Sequence, residues 1–450
     1  MIKWNFINKG SIGLLKKIVN ICMAIWFLFF MFNGVIRFYF TKYGLTYLIY
    51  LSNLSLITIV LIYLIKVIKE LKIQKQIFIF LIFVFFGIVI GFLNELKAQQ
   101  VLFSLNIYLP FLAGFIYSYY YKTSYSVLIN IYRIFTPIAL LGIFMDYFYE
   151  LPWQGYEYEI GDFSIEASRY WTTFGIERLA GFQRSSVESG ILIFMLLTIN
   201  LTIRLYTKLK ASAFLRCYDF ILNFLGICGI YFTTFKTGFL SIILLNILWL
   251  LIIIYRNISW YKGKIICRII IKFQMLLLFI YLIIPPLISL SGVKFSDIKD
   301  EYLRILFTSY TIRLEEMWPN AFELLEHSNF TFFGRGAGGI GVAQKYFEAS
   351  LYNPGDNFFV YIFVSFGVIS LIIMLYLIIK IFTIDIDNQH NLFLLIGLFI
   401  IFSFGATVNV VESGGLMVII AVLLANYKKN KFQKLQTQLS HTEIFKHCLI

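Results

Sequence analysis

The chain has 450 residues, of which 60% are hydrophobic and only 14% are charged. Its mean hydropathy is +0.81, whereas roughly 45–50% of the residues of an ordinary soluble domain are apolar. The formal net charge of +14 would favour nucleic-acid binding only if the basic residues gathered on one water-exposed face. They are instead spread over many loops, so the composition argues against both a soluble globular protein and a nucleic-acid-binding protein.

Apolar runs that approach or exceed the roughly 17–25 residues needed to cross a bilayer recur along the chain. They are continuous rather than alternating, which indicates helices and not the strands of a barrel. We therefore predict an all-α, polytopic integral membrane protein, with residues 1–450 forming a single membrane domain of about twelve transmembrane helices. The predicted spans, in chain order, are Ile18–Ile36, Leu45–Ile65, Ile77–Leu93, Val101–Tyr121, Val127–Phe148, Ser189–Ile203, Tyr218–Thr234, Gly238–Tyr255, Phe273–Leu290, Phe358–Ile379, Leu392–Val408 and Val410–Asn426.

The basic residues predict the orientation of these spans. Four lysines precede the first span, which has no obvious cleavage site after it and is interpreted as retained. With an even number of spans both termini lie on one side, and the segments on that side hold 24 of the 38 Lys and Arg residues. The positive-inside rule assigns that side to the cytoplasm. Residues 428–450 are then a cytoplasmic tail, and two long loops, 149–188 and 292–357, are extracytoplasmic.

Most of the carboxylates of the chain lie in or beside these two loops. In a protein this apolar, polar side chains concentrated at one membrane face indicate where a polar substrate could be handled. The alternative is that two long loops are simply solvated.

Two arginines of the first loop, Arg178 and Arg184, lie where the chain enters the sixth span. A guanidinium offers a planar fork of donors and a permanent charge, which suits a diphosphate at headgroup depth. The alternative is that both side chains anchor to lipid phosphates or pair with neighbouring glutamates. Lys236, the lone charge of a short outer hairpin, could contact a phosphate or simply reach the interface.

The second loop contains Arg313 and Trp318 on a stretch that we predict to be helical and bent near Pro319. Arg313 would lie early on this stretch as a candidate functional residue, and Trp318 could lie in the aromatic belt at the membrane interface. The stretch is amphipathic, so a helix lying flat on the membrane is the alternative interpretation.

A glycine-rich segment follows, with Gly334, Gly336 and Gly339 in a G-x-G-x-x-G spacing that includes Arg335. Dinucleotide binding would need a preceding strand and a βαβ unit, and the sequence predicts neither. A flexible turn over a polar cavity, with backbone N–H groups available to an anion, is the favoured interpretation.

Asp356 and Asn357 open the tenth span. Asp356 could cap that helix, or it could be a partly desolvated carboxylate that acts as a general base or orients one. The sequence leaves both roles open.

In their order and common membrane face, these residues resemble the O-antigen polymerase and O-antigen ligase superfamily of membrane glycosyltransferases. The chain departs from the family pattern at Asp356, where many members have histidine, and at Gln183–Val187. The residues that carry the resemblance are an R-x-x-G core (Arg178, Gly181), a T-x-K-x-G hairpin (Lys236, Gly238), R-x4-W (Arg313, Trp318), a G-x-G turn (Gly334, Gly336) and the pair Asp356 and Asn357.

The resemblance implies a GT-C-like fold and the transfer of an undecaprenyl-pyrophosphate-linked glycan at the outer face of a bacterial cytoplasmic membrane, with no metal, cofactor or nucleotide sugar. It implies that Arg178 and Arg313 hold the pyrophosphate and that Asp356 accepts the proton or aligns the acceptor. The partners that it implies are the lipid-linked oligosaccharide and membrane lipid, with a chain-length regulator protein as a further candidate. The substrate-binding residues would be Arg184, Lys236, Trp318, Arg335 and Asn357.

Three hypotheses follow. The first is a polymerase of polysaccharide repeat units, for O-antigen, capsule or exopolysaccharide. The second is a glycan ligase of the same architecture, against which the aspartate at position 356 argues. The third is a flippase or secondary transporter, which would place charged groups or broken helices near the middle of the membrane. The sequence argues against it, because mid-span charge is nearly confined to Arg133 and Asp219. Pro285 and Pro286 are predicted to break the ninth span only near its outer end.

Overall fold

The structure, a computed structural model, describes residues 9–121, 125–160, 163–173, 176–207, 212–292 and 301–427. Within these ranges the chain is mostly helical, as predicted. The predicted tail at 428–450 lies outside the described residues, as does the segment at 293–300 at the start of the second loop.

Nine helices of the described chain are long and apolar enough to cross a membrane, which confirms a membrane-embedded helical protein. A short helix, α2 (Asn33–Lys42), and a 3-10 turn at Thr46–Tyr50 lie between the first and the second of these nine helices. The nine helices are α1 (Lys9–Met31), α3 (Leu51–Glu70), α4 (Lys75–Leu93), α5 (Ala98–Tyr121), α6 (Tyr125–Phe148), α7 (Ser186–Tyr206), α8 (Ala213–Phe232), α9 (Lys236–Asn257) and α10 (Tyr261–Ser289).

The C-terminal third contains shorter helices. Three of them are apolar but shorter than the nine above, so a total of twelve transmembrane helices stays a prediction. The shorter helices are α11 (Glu301–Ile312), α12 (Trp318–Glu323), α13 (Val342–Phe347), α14 (Phe358–Phe366), α15 (Val368–Thr383), α16 (Asn391–Gly405) and α17 (Gly414–Tyr427).

The burial of apolar side chains divides the helices into central and peripheral ones. Almost every residue of α7 is buried, whereas only about a third of α3 or α4 is. The outward faces of the peripheral helices carry large apolar side chains, such as Leu61, Phe85 and Phe273, each more than half exposed. Water would penalise such a continuous apolar surface, and lipid does not.

Successive long helices run in opposite directions, so their connections collect at two ends of the bundle. We call one of them the loop end, because both long loops lie there. Its described residues are 32–50, 94–97, 149–160, 163–173, 176–185, 233–235, 290–292, 301–357 and 406–413.

The first long loop contains two small β-hairpins, which the sequence analysis did not predict. β1 (Glu157–Ile160) pairs antiparallel with β2 (Phe163–Glu166), and β3 (Thr172–Thr173) pairs with β4 (Ile176–Glu177). Tyr158 of β1 is buried in a small core with Trp153 and Phe38, and its hydroxyl accepts a hydrogen bond from Arg37 of α2. This part of the first loop is therefore packed against α2 and is not simply solvated.

The glycine-rich segment of the second loop lies inside the protein, and the prediction of a flexible turn with free N–H groups was wrong. The N–H groups of Arg335 and Gly336 donate to the carbonyls of Val364 and Ser365, and that of Ala337 donates to Gly87 in α4. A Cβ at Gly336 would lie 2.1 Å from the backbone nitrogen of Gly91, so only glycine permits this approach. Irregular backbone survives at this depth because protein atoms satisfy it.

Two predicted details of the spans need correction. The predicted span Phe358–Ile379 is not one helix, because α14 ends at Phe366 and α15 begins at Val368. The second loop packs closely against Gly367 between them: a Cβ there would lie 2.1 Å from the Phe332 carbonyl oxygen. Pro285 and Pro286 do not break α10, which continues to Ser289. Proline removes hydrogen bonds near a helix end at lower cost, because other groups can satisfy the freed carbonyls.

The mid-span charges form a buried ionic contact. Arg133 of α6 donates two hydrogen bonds to Asp219 of α8, at 2.8 and 2.7 Å, and Arg204 of α7 contacts the same carboxylate, which is 2% exposed. These charges therefore join three helices.

Candidate functional site

Arg178 is positioned by a rigid turn at the end of the first loop. Leu179 and Ala180 are buried, the N–H of Gly181 donates to Asp146 at 2.7 Å, and the indole N–H of Trp153 donates to the Gly181 carbonyl at 2.8 Å. The Arg178 guanidinium lies 5.1 Å above the Trp171 ring, and its Nε donates to the hydroxyl of Thr234 in the α8–α9 hairpin at 3.1 Å. The R-x-x-G motif thus holds one arginine toward the centre of the loop end.

Arg313 lies in the second loop, at the start of a π-helical turn, Arg313–Met317, between α11 and α12. The turn immediately precedes the Trp-Pro pair that opens α12. Because proline at 319 disturbs the hydrogen bonding of the preceding turn, the bend predicted near Pro319 takes this form. One guanidinium nitrogen of Arg313 donates to Asp356 at 2.9 Å and the other to the Ser309 carbonyl at 2.7 Å.

The structure brings three predicted cations together. Burial lowers the pKa of Arg178, and the positive charge of Arg313 lowers it further. Lys236, the first residue of α9, also lies within range of electrostatic repulsion from Arg178. Asp356 contacts this group through its ion pair with Arg313. An anion between these cations would relieve their repulsion, and a diphosphate carries suitable charge and acceptor atoms.

The side chains of the next predicted residues are engaged by the protein itself. Asn357, and not Asp356, caps α14: its side-chain oxygen accepts from the N–H of Val360 at 3.0 Å, so the capping role proposed for Asp356 was wrong. Trp318 is fully buried, with its ring edge against Tyr310. Arg335, 2% exposed, donates to the Gly339 carbonyl and to Glu348. Neither Trp318 nor Arg335 presents a free face to the region around Arg178.

Arg184 belongs to a second basic group, with Arg169 and Lys345. Burial lowers the pKa of Lys345, and Arg169 and Arg184 lower it further while Glu166 opposes them. Arg169 and Arg184 are joined through their backbones by a 2.8 Å hydrogen bond. Tyr352 lies near both groups, because the charge of Asp356 raises the pKa of its hydroxyl and the charge of Arg169 lowers it.

The sequence analysis missed Glu412, which it placed within the predicted span Val410–Asn426. The structure places it in the turn before α17, at the loop end. Its Oε1 accepts from the N–H of Val342 at 2.7 Å. Burial raises the pKa of Glu412 to about 8, and the charge of Asp356 contributes to the increase. The signal in the sequence was a single acidic residue followed by Ser-Gly-Gly, which favours a turn over a helix interior.

Within the described residues no group of three or more His, Cys, Asp or Glu side chains is placed to hold a metal ion. No family model matches the chain, and neither a curated protein nor a solved structure matches it. The site is therefore interpreted from its own geometry, as a loop-end site in which Arg313 pairs with Asp356, Arg178 and Lys236 lie near that ion pair, and Glu412 lies near Asp356.

Proposed function

We propose that the chain is a membrane glycosyltransferase that polymerises polysaccharide repeat units carried on undecaprenyl pyrophosphate, at the outer face of a bacterial cytoplasmic membrane. The observation that carries the proposal is the convergence of Arg178, Arg313 and Lys236 at the loop end, where a lipid headgroup would lie. The resemblance in motif order to the O-antigen polymerase and ligase superfamily supports it.

The proposed reaction is a displacement at the anomeric carbon of the lipid-linked glycan. The diphosphate is already a competent leaving group, so the protein needs chiefly to stabilise its developing negative charge and to position the acceptor hydroxyl. Arg178 and Arg313 supply that charge from two separate loops. The ion pair with Asp356 holds the Arg313 side chain in place before substrate arrives.

Replacing either arginine tests the proposal. We expect Arg178→Ala and Arg313→Ala each to lower the elongation rate roughly 100- to 1,000-fold, as the loss of one charge-stabilising donor does in other transfer enzymes. The assay supplies purified protein with lipid-linked oligosaccharide as both donor and acceptor, and chain length is read on a gel. Lys42→Ala, an exposed cation on α2 at the loop end, is the matched control and should leave the rate unchanged.

The same assay separates the alternatives. A polymerase elongates the lipid-linked oligosaccharide when it is the only glycan present, whereas a ligase needs a different acceptor. A protein that moved the glycan across vesicles and formed no glycosidic bond would be a transporter. Wild-type elongation that survives in both arginine variants would refute the proposed role of the cationic group.

A further inference from the structure

Glu412 lies beside the proposed reaction site on a turn that is tied to the second loop. Asn409 of this turn donates to the Pro354 carbonyl at 3.4 Å, and its side-chain oxygen accepts from the N–H of Glu412 at 3.4 Å. These contacts hold the turn beside the segment that carries Asp356.

The protein fixes the orientation of the Glu412 carboxyl group. Its Oε1 accepts from the Val342 N–H at 2.7 Å, and a Cβ at Gly341 would lie 2.0 Å from the same oxygen. The side chain of Asn409 also hydrogen-bonds the carboxyl group. The Glu412 side chain is nevertheless partly exposed, so another group can approach it.

Asp356, unlike Glu412, is paired with a cation. Its Oδ2 accepts from Arg313 at 2.9 Å, in an ion pair whose members are 29% and 20% exposed. Protonating Asp356 would remove the charge that holds Arg313, at the moment when Arg313 is needed on the diphosphate. A neighbouring carboxyl without a cationic partner is better suited to accept a proton.

We infer that Glu412 is the general base of the transfer reaction and that Asp356 is a positioning residue for Arg313. This inference rests on the proposed glycosyl transfer. The acceptor hydroxyl loses its proton to the carboxylate of Glu412 as the hydroxyl oxygen bonds to the anomeric carbon. The bond between that carbon and the diphosphate oxygen breaks, and its electron pair leaves with the diphosphate, so atoms and charges balance.

The inference predicts how the rate depends on pH. Groups that interact with Glu412 are Asp356 and Tyr352 from the second loop, Tyr361 from α14 and Tyr108 from α5. Burial and the charge of Asp356 raise the pKa of Glu412 to about 8. A base must be deprotonated, so kcat/KM should rise with pH up to about 8 and level off above it.

The test measures elongation of the lipid-linked oligosaccharide from pH 6 to pH 10 for the wild type, Glu412→Gln and Glu412→Asp. Glutamine keeps an oxygen for Val342 but cannot take the proton, so we expect a loss of at least about 100-fold, the lower end of general-base contributions. KM for the lipid-linked substrate should change little, and Glu412→Asp should recover part of the rate. Glu326→Gln, an exposed loop residue, is the control and should behave as wild type.

Each result decides between the alternatives. A loss smaller than about 100-fold in Glu412→Gln, a rise with pH that persists in that variant, or a lost rate that is entirely an increase in KM would overturn the assignment of Glu412 and leave the transfer reaction standing. If the wild-type protein elongates nothing while the lipid-linked substrate is intact, the proposed function itself fails, and the assignment of Glu412 fails with it.

Discussion

Asn357 uses both atoms of its side-chain amide to satisfy backbone groups at helix ends. Its oxygen caps α14, and its nitrogen donates at 3.0 Å to the carbonyls of Leu282 and Ala406. Leu282 needs this donor because the residue four positions later, Pro286, has no N–H to offer it. One side chain therefore joins α10, α14 and the end of α16.

Substitutions at this position separate capping from carbonyl binding. Aspartate and serine are both good N-caps, but an aspartate would turn the two donated hydrogen bonds into contacts between oxygens. Both variants lose the two donated hydrogen bonds, but only aspartate places oxygen atoms against the Leu282 and Ala406 carbonyls. We therefore expect Asn357→Asp to lower the free energy of unfolding by about 2 kcal/mol more than Asn357→Ser does. Thermal unfolding of both variants in detergent micelles measures the difference. Equal stability would mean that contact between these oxygens costs little.

At the scale of elements, the buried glycine-rich segment joins parts of the bundle that are distant in sequence. It hydrogen-bonds to α4 through Gly87 and to α14 through Val364 and Ser365, and Gln100 of α5 donates to the Gly338 carbonyl at 2.8 Å. Since its backbone touches other backbones, the segment fixes the second loop, and with it Arg313 and Asp356, relative to the membrane helices.

Two glycines with similar backbone angles test the importance of close packing. Gly336 has φ +82° and a Cβ there would meet Gly91, whereas Gly44 has φ +71° and nothing lies within 4 Å of its Cβ position. We expect Gly44→Ala to cost about 1–2 kcal/mol from backbone strain alone. Gly336→Ala should cost roughly 2–5 kcal/mol because overpacking adds to the strain. Thermal unfolding in micelles provides the comparison, and similar losses would contradict the importance of this contact.

At the scale of the whole molecule, both long loops and the turn of Glu412 lie at one end of the bundle. Helix α7 and the ionic contact of Asp219 with Arg133 and Arg204 form part of its interior. The apolar outer faces fit lipid, and we predict that the loop end and the opposite end face different aqueous phases. The charge distribution predicts that the loop end faces away from the cytoplasm.

Cysteine labelling tests this orientation. We expect a Glu326→Cys variant to react with a membrane-impermeant maleimide in intact spheroplasts, because position 326 is exposed at the loop end. The native Cys217, exposed near the start of α8 at the opposite end, should react only after permeabilisation. Labelling of Cys217 in intact spheroplasts would reverse the predicted orientation.

Much of the architecture could be predicted because a membrane helix is recognisable from its own stretch of sequence. The predicted span Val127–Phe148 and the observed α6 (Tyr125–Phe148) nearly coincide, since a continuous apolar run has few other stable structures in lipid. The β-hairpins and the break at Gly367 could not be predicted in this way. Their conformation depends on the packing of residues far apart in the chain, such as Phe332 against Gly367.

By itself, the sequence determined that this is a helical membrane protein and which arginines border its apolar spans, because hydrophobicity and charge act through solvent and need no partner. Only the tertiary structure decided which charged groups meet. In the structure Arg335 is buried against Glu348, and Arg313 pairs with Asp356. Glu412, which was predicted to lie within a span, lies instead in a turn near Asp356. The protonation and binding properties of a side chain depend on its burial and on nearby charges, and packing determines both.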